Sequence, residues 1–223
     1  MPNKSKIKKI NIFSYFIMAQ RESYSQLGQD LAVVRHYQGM REGFFVEVGA
    51  YDGIALSNTY LLETQYAWSG ICIEPIPEKY EKLVKNRKAI CSNKALYSMS
   101  GLELVFDNAT DAMLSGISSH IDCHKHIVNR SKKQITVETL TLTDLLDQHN
   151  APKFIEYMSL DTEGSELEIL RGLDFNRYQF GLIDLETNYV EPRRSQIRHL
   201  LTSNGYDFLR QNQFDDVYVL KKA

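Results

Sequence analysis

Glu47-Val48-Gly49-Ala50-Tyr51-Asp52-Gly53 joins two glycines and two carboxylates at the end of an apolar run. Glycines in a strand-to-helix turn let a ligand approach the backbone, because no Cβ stands in the way. Glu74 follows Gly53 by 21 residues and closes a second apolar run, a place from which a carboxylate can accept both hydroxyls of a ribose. The two features together predict an adenosine-containing ligand. The charges then select among such ligands. A dinucleotide lays its pyrophosphate on the backbone N–H groups of that turn, where Glu47 and Asp52 would repel it. S-adenosylmethionine carries a sulfonium and an ammonium instead, and an acid-rich turn attracts both. Tyr51 also holds the middle position of the turn, so the spacing departs from G-x-G-x-x-G.

A second set of oxygens closes later apolar runs: Asp161 and Glu163 after one, Glu186 and Asn188 after another. A carboxylate at such a place can take a proton from an acceptor hydroxyl. Asp161, Glu186 and Asn188 also make an oxygen-rich set suited to Mg²⁺, which would lower the pKa of that hydroxyl. The bland alternative for Asp161, Glu163 and Glu166 is that they complement the dipole of a following helix. His120, Cys123, His124 and His126 are too compact for a closed zinc site. With Lys125, Arg130, Lys132 and Lys133 they form a local basic patch that reads as a solvated loop, the alternative being a site for a phosphate or an acidic sugar.

Short apolar runs separated by helical stretches imply parallel strands joined by crossover helices. Runs at 44–48, 70–74, 89–96, 154–160 and 180–185 predict the strands, with helices at 57–66, 78–86, 143–149 and 193–203. Ser165 and Glu168 have capping-box spacing at the start of another helix. Period-two alternation at 102–106 predicts an antiparallel strand in an insertion, followed by a loop at 107–133 and a strand at 135–138. Residues 206–209 and 217–220 predict a closing hairpin. The expected fold is therefore α/β: a doubly wound, mostly parallel sheet with a C-terminal antiparallel hairpin. Ligands bind such a sheet outside the carboxyl ends of its strands, where the chemistry-bearing residues fall.

The chain has 223 residues, 43% hydrophobic and 24% charged, which fits a globular chain with one sizeable core and excludes a disordered or fibrous one. A single domain over 23–223 is expected, after a weakly structured leader at 1–22. Lys4, Lys6, Lys8 and Lys9 precede an apolar run at 10–18, but that run is interrupted and far short of the roughly twenty apolar residues of a membrane span. A net charge of −2 provides no field for the many phosphates of a nucleic acid, so a small partner is expected. Three scattered cysteines fit a reducing, cytoplasmic setting.

Four blocks resemble one known family: Ser25-Gln26-Leu27-Gly28-Gln29-Asp30, the turn from Val46 to Gly53, Gly70-Ile71-Cys72-Ile73-Glu74-Pro75, and Leu160-Asp161-Thr162-Glu163-Gly164-Ser165-Glu166-Leu167-Glu168. Their order and spacing are similar to those of FkbM-type methyltransferases. The resemblance implies a class I, Rossmann-like S-adenosylmethionine-dependent fold that methylates hydroxyl oxygens, with sugars and polyketides among its substrates. It places Glu47, Gly49 and Asp52 on the methionine part of the cofactor and Glu74 on the ribose, with Gln29, Ala50, Gly53 and Pro75 around them. Asp161, Glu163 and Glu186 would serve the reaction. The expected function is O-methylation of a small acceptor, a sugar or glycan. Two rivals stay open: an NAD-dependent sugar oxidoreductase and a non-catalytic module that keeps the cofactor pocket.

Overall fold

The computed structural model describes residues 22–109, 115–118 and 132–221. Residues 1–21 of the expected 1–22 leader and the cluster of His120, Cys123, His124, Lys125, His126 and Arg130 lie outside the described residues, as does the Lys132 side chain. In chain order the elements are α1 (Gln29–His36), β1 (Phe44–Val48), α2 (Tyr60–Tyr66), β2 (Ser69–Ile73), α3 (Pro77–Asn86), β3 (Ile90–Ser92), β4 (Ala95–Leu96), β5 (Glu103–Ala109), β6 (Gly116–Ile117), β7 (Lys132–Leu140), α4 (Leu142–Gln148), β8 (Phe154–Leu160), α5 (Glu166–Arg171), β9 (Gln179–Glu186), α6 (Arg193–Ser203), β10 (Tyr206–Asn212) and β11 (Asp215–Leu220).

Seven strands form the main sheet in the order β10-β11-β9-β8-β1-β2-β3. Strands β3, β2, β1, β8 and β9 are parallel, and β11 and β10 join antiparallel. The near-continuous apolar sequences of β1, β2 and β8 follow from this placement, since a central parallel strand is covered on both faces. One face packs Leu142, Leu145, Leu170, Ile197 and Leu201 against Val46, Ile71 and Ile183. The other packs Val33, Leu61, Leu62 and Leu83 against Phe45, Cys72 and Tyr157. Helices thus cover both sides, as a doubly wound sheet requires.

Three expectations change in detail. The run at 89–96 is two strands: β3 closes the main sheet, while β4 pairs with β7 in a second sheet of order β4-β7-β5-β6. Three residues are enough to pair with the short end of β2, after which Ala95 turns into the apolar cluster of Phe106, Ile117 and Val137 while Leu96 joins the main core. The loop expected from 107 onward likewise holds the end of β5 and the short β6. The capping box does not form. Ser165 makes no capping bond and instead donates to Thr162 Oγ1, while the Glu168 carboxylate is taken up by Ser98 and Arg171.

Strand β1 lies beside both β2 and β8, and the chain leaves those two strands toward opposite edges of the sheet. A crevice opens at such a switch point. Gly49 sits in it at φ +86°, and an added Cβ would lie 1.9 Å from the Asp161 carbonyl oxygen. The glycine is what lets the tips of β1 and β8 close on each other. Gly49→Ala is expected to destabilise the fold by about 3 kcal/mol in urea unfolding, combining a left-handed backbone with a backbone collision.

Candidate active site

A cavity of about 280 Å³ lies at the carboxyl ends of the parallel strands. Gly49, Ala50 and Tyr51 line it from the β1 tip, and Glu74, Pro75 and Ile76 line it from the β2 tip. Asp161 and Glu163 follow β8, Glu186 ends β9 with Asn188 just after it, and Gln29 and Phe214 complete the opposite wall. Most of the residues singled out from sequence thus converge on one space.

Glu74 is buried, with Oε2 accepting from the Tyr51 N–H at 3.0 Å and Oε1 from the Ile76 N–H at 2.8 Å. These bonds fix the carboxylate across the first turn, and each oxygen keeps a further lone pair for a ligand. Burial pushes its pKa up to about 7, against the pull of the two N–H donors and of Lys79. Lys79 also donates to the Tyr51 hydroxyl at 2.8 Å, which holds that ring at the cavity wall.

Glu47, Asp52 and Gly53 are not among the residues that line the cavity. Glu47 is buried and turns to the segment after the first turn, accepting from Thr59 Oγ1 at 2.6 Å and the Asn58 N–H at 2.7 Å. It also pairs with Arg87 at 3.1 Å. That ion pair neutralises the charge on which the repulsion of a pyrophosphate relied. Asp52 closes its own turn by accepting from the Ile54 and Ala55 N–H groups. Gly53 gives room to Arg87, whose Cγ would meet an added Cβ at 2.7 Å.

Arg87 left no signal in the sequence, where it reads as one more basic residue at the end of a charged helix. In the fold its guanidinium is enclosed and donates to Glu47, Glu63, the Gly53 carbonyl, Ser57 and Thr59. It ties the wall segment 53–59 to β1 and α2.

Asp161, Glu163 and Glu186 offer carboxylate oxygens that all lie within 4.8 Å of one another. Asp161 is open toward the cavity but otherwise enclosed by protein. Burial first, then Asp215 and Glu166, raise its pKa, while a hydrogen bond with Glu186 lowers it. Burial, then Asp161 and Glu163, raise Glu186. Carboxyl groups this close share protons, and the hydrogen bond between them leaves Asp161 the more acidic partner and Glu186 the more basic. Asp215, in register with Glu186 across β9 and β11, accepts from Gln29 Nε2 at 2.8 Å. The sequence hinted at it through an acidic pair in an otherwise apolar strand.

A model of the FkbM methyltransferase domain matches residues 47–208. The chain belongs to the FkbM methyltransferase family. The family and the fold support S-adenosylmethionine as the cofactor. Among solved structures the chain is similar to an FkbM methyltransferase from Methylobacillus flagellatus KT, with 14% identity and a TM-score of 0.50, over 94% of this chain and 58% of that one. It is also similar to the precorrin-6y C5,15-methyltransferase from Geobacter metallireducens GS-15, with 11% identity and a TM-score of 0.44, over 92% of this chain and 95% of that one. No curated protein matches significantly. Among the described residues no helix is long and apolar enough to cross a membrane.

This FkbM chain holds its first turn through one ion-paired network. Arg87→Met should cost about 3–5 kcal/mol in urea unfolding, because Glu47 and Glu63 would be left buried without a countercharge. A second prediction concerns Asp184, behind the cavity, whose Oδ1 has no hydrogen-bond partner among the described residues. Burial and then Asp215 push its pKa from 3.8 up to about 8, with Arg210 pulling it down. Ionising it therefore opposes folding, a penalty absent below about pH 4 and growing as pH rises through 8. Relative to wild type, Asp184→Asn should gain stability with rising pH, by about 1 kcal/mol per pH unit across that window, as read from urea midpoints.

Proposed function

We propose that the chain is an S-adenosylmethionine-dependent O-methyltransferase acting on a hydroxyl of a small acceptor, a sugar or glycan, in the cytoplasm. Asp161 carries the reading. Its carboxylate lines the same cavity as the Gly49 turn and Glu74, and it stands at the switch point between the two ends of that cavity. Gly49 and Glu74 fit the cofactor: Gly49 lines the cavity with main chain alone, and the carboxylate is preset by two backbone N–H donors. When bound, the cofactor supplies a methyl group already activated on a sulfonium.

The protein then has two tasks, holding the acceptor oxygen in line and taking its proton. Asp161 takes that proton as the oxygen forms its bond to the methyl carbon. Glu186 holds Asp161 in place through a hydrogen bond, and Glu163 closes the third side. Among the described residues that line the cavity there is no Lys, Arg or His, which disfavours nucleic acid as the acceptor.

A second reading follows from the same cluster. Three carboxylate oxygens within 4.8 Å, with Asn188 on the same wall, form a hard donor set that fits Mg²⁺. Asp161, Glu186 and Asn188 would hold the ion.

Asp161→Asn should lower the rate of labelled methyl transfer to hydroxylated acceptors by about 10²–10⁴-fold, with S-adenosylhomocysteine still bound in calorimetry. Full activity in that variant would remove Asp161 from the chemistry. Turnover unchanged by a chelator supports the proton-sharing reading, whereas loss restored by Mg²⁺ supports the metal. Nicotinamide dinucleotides raising the melting temperature where S-adenosylhomocysteine does not would restore the oxidoreductase reading.

A further inference from the structure

The cavity has two unlike ends. Beyond the tips of β1 and β2 it offers a glycine turn, a preset carboxylate and the aliphatic wall of Ile76, Ala95 and Leu96. Beyond β8, β9 and the turn between β10 and β11 it offers Asp161, Glu186, Asn188, Phe214 and, at the rim, Gln26.

Phe214 differs from the other large apolar residues of this region. It is half-buried, and among the described residues it joins none of the three apolar clusters of the core. Its backbone is nevertheless held firmly. The Phe214 carbonyl accepts from the Thr187 N–H at 3.0 Å, the Asn188 N–H at 3.2 Å and Thr187 Oγ1 at 3.1 Å. The flanking Gln213 and the facing Asn188 and Tyr189 all have positive φ, a conformation that non-glycine residues keep only when their surroundings enforce it. Tyr189 donates to the Gln213 carbonyl at 2.6 Å, which locks the second side of the turn. The rim is fixed as well: Ser25 bridges to Leu56, and Asn212 Nδ2 donates to the Leu27 carbonyl at 3.4 Å. Phe214 is thus held at the cavity wall by main-chain bonds, while joining no core cluster among the described residues.

An aromatic face bordered by amides and carboxylates suits a ring with apolar C–H groups on its face and hydroxyls on its edge. The C–H groups lie on the aromatic ring, and the amides and carboxylates take up the hydroxyls. The same wall is hostile to phosphate or carboxylate, since Asp161, Glu163 and Glu186 are crowded together and no basic side chain lines the cavity among the described residues.

Building on the methyltransferase reading above, we propose that Phe214 is the platform for the acceptor ring, that Asn188 and Gln26 bind its hydroxyls, and that the Asp161, Glu163 and Glu186 carboxyls beside them select an uncharged sugar ring over a phosphorylated or uronic one. The test uses the full chain saturated with S-adenosylhomocysteine. The probes are methyl glycosides of glucose, galactose, mannose, rhamnose and fucose, with methyl glucuronoside and glucose 6-phosphate as charged counterparts, and binding is read by saturation-transfer NMR. At least one neutral glycoside should receive saturation on its ring protons, and the charged probes should receive less. Phe214→Ala, Asn188→Ala and Gln26→Ala should each weaken that glycoside at least fivefold and leave S-adenosylhomocysteine affinity within twofold. Phe214→Tyr should retain binding, and Phe214→Leu, which keeps apolar bulk without the ring face, should lose it even if the alanine variant melts. The proposal is overturned if no neutral glycoside binds the loaded protein, if the charged probes bind as well as the neutral ones, or if the variants weaken S-adenosylhomocysteine instead. Wild type failing to bind S-adenosylhomocysteine at all is a different result, and it removes the methyltransferase reading itself.

Discussion

Enclosing a guanidinium in protein costs several kcal/mol unless its N–H groups find acceptors and its charge finds a countercharge. Arg87 meets both conditions with groups from three parts of the chain: Glu47 on β1, Glu63 on α2, and the 53–59 segment between them. None of those groups can leave without stranding the others. The segment that walls the cavity is consequently held by the same interaction that ties α2 to the sheet. The glycine turn and its ligand-facing backbone gain rigidity that their own short-range bonds would not supply.

A row of polar residues crosses the sheet below the cavity. Glu47 is in register with Cys72 on one side and Ser159 on the other, and Ser159 is in register with Asp184. Asn58 Nδ2 donates to Ser159 at 2.8 Å, which ties the wall segment to this row. Polar groups in the middle of a parallel sheet are unfavourable for folding taken singly. Here they lie directly beneath a crevice whose neighbouring strand tips carry Asp161 and Glu186. Burial first, and then the field of the neighbouring carboxylates, pushes the pKa values of Asp161, Asp184 and Glu186 up. The same field favours cations and neutral molecules in the space above it.

Much of the frame was legible in the sequence because it follows from periodicity. Continuous apolar runs such as 44–48 and 154–160 can only be buried on both faces, and the turn residues after them mark the strand tips. Four spaced blocks gave the family. What was not legible depends on side-chain direction and on contacts between distant segments. Glu47 alternates on a strand and could face either the cavity or the layer beneath it; Arg87, undistinguished in sequence, decides the matter. The split of 89–96 between two sheets rests on the apolar cluster around Phe106 and Ile117, which no local pattern announces. Phe214 carries no periodic signal either, because it lies in a turn and packs into no core cluster among the described residues.

Gln29 and Asp215 meet in one hydrogen bond although 186 residues separate them. The wall they form therefore depends on segments near opposite ends of the described chain. During synthesis the central parallel strands can emerge and pair early, but this wall cannot close until β11 has been added beside β9. A chain stalled before its last hairpin would hold a glycine turn and a preset Glu74 without the opposite side of the chamber. Competence to bind the two reactants together would then come late in the life of each new molecule.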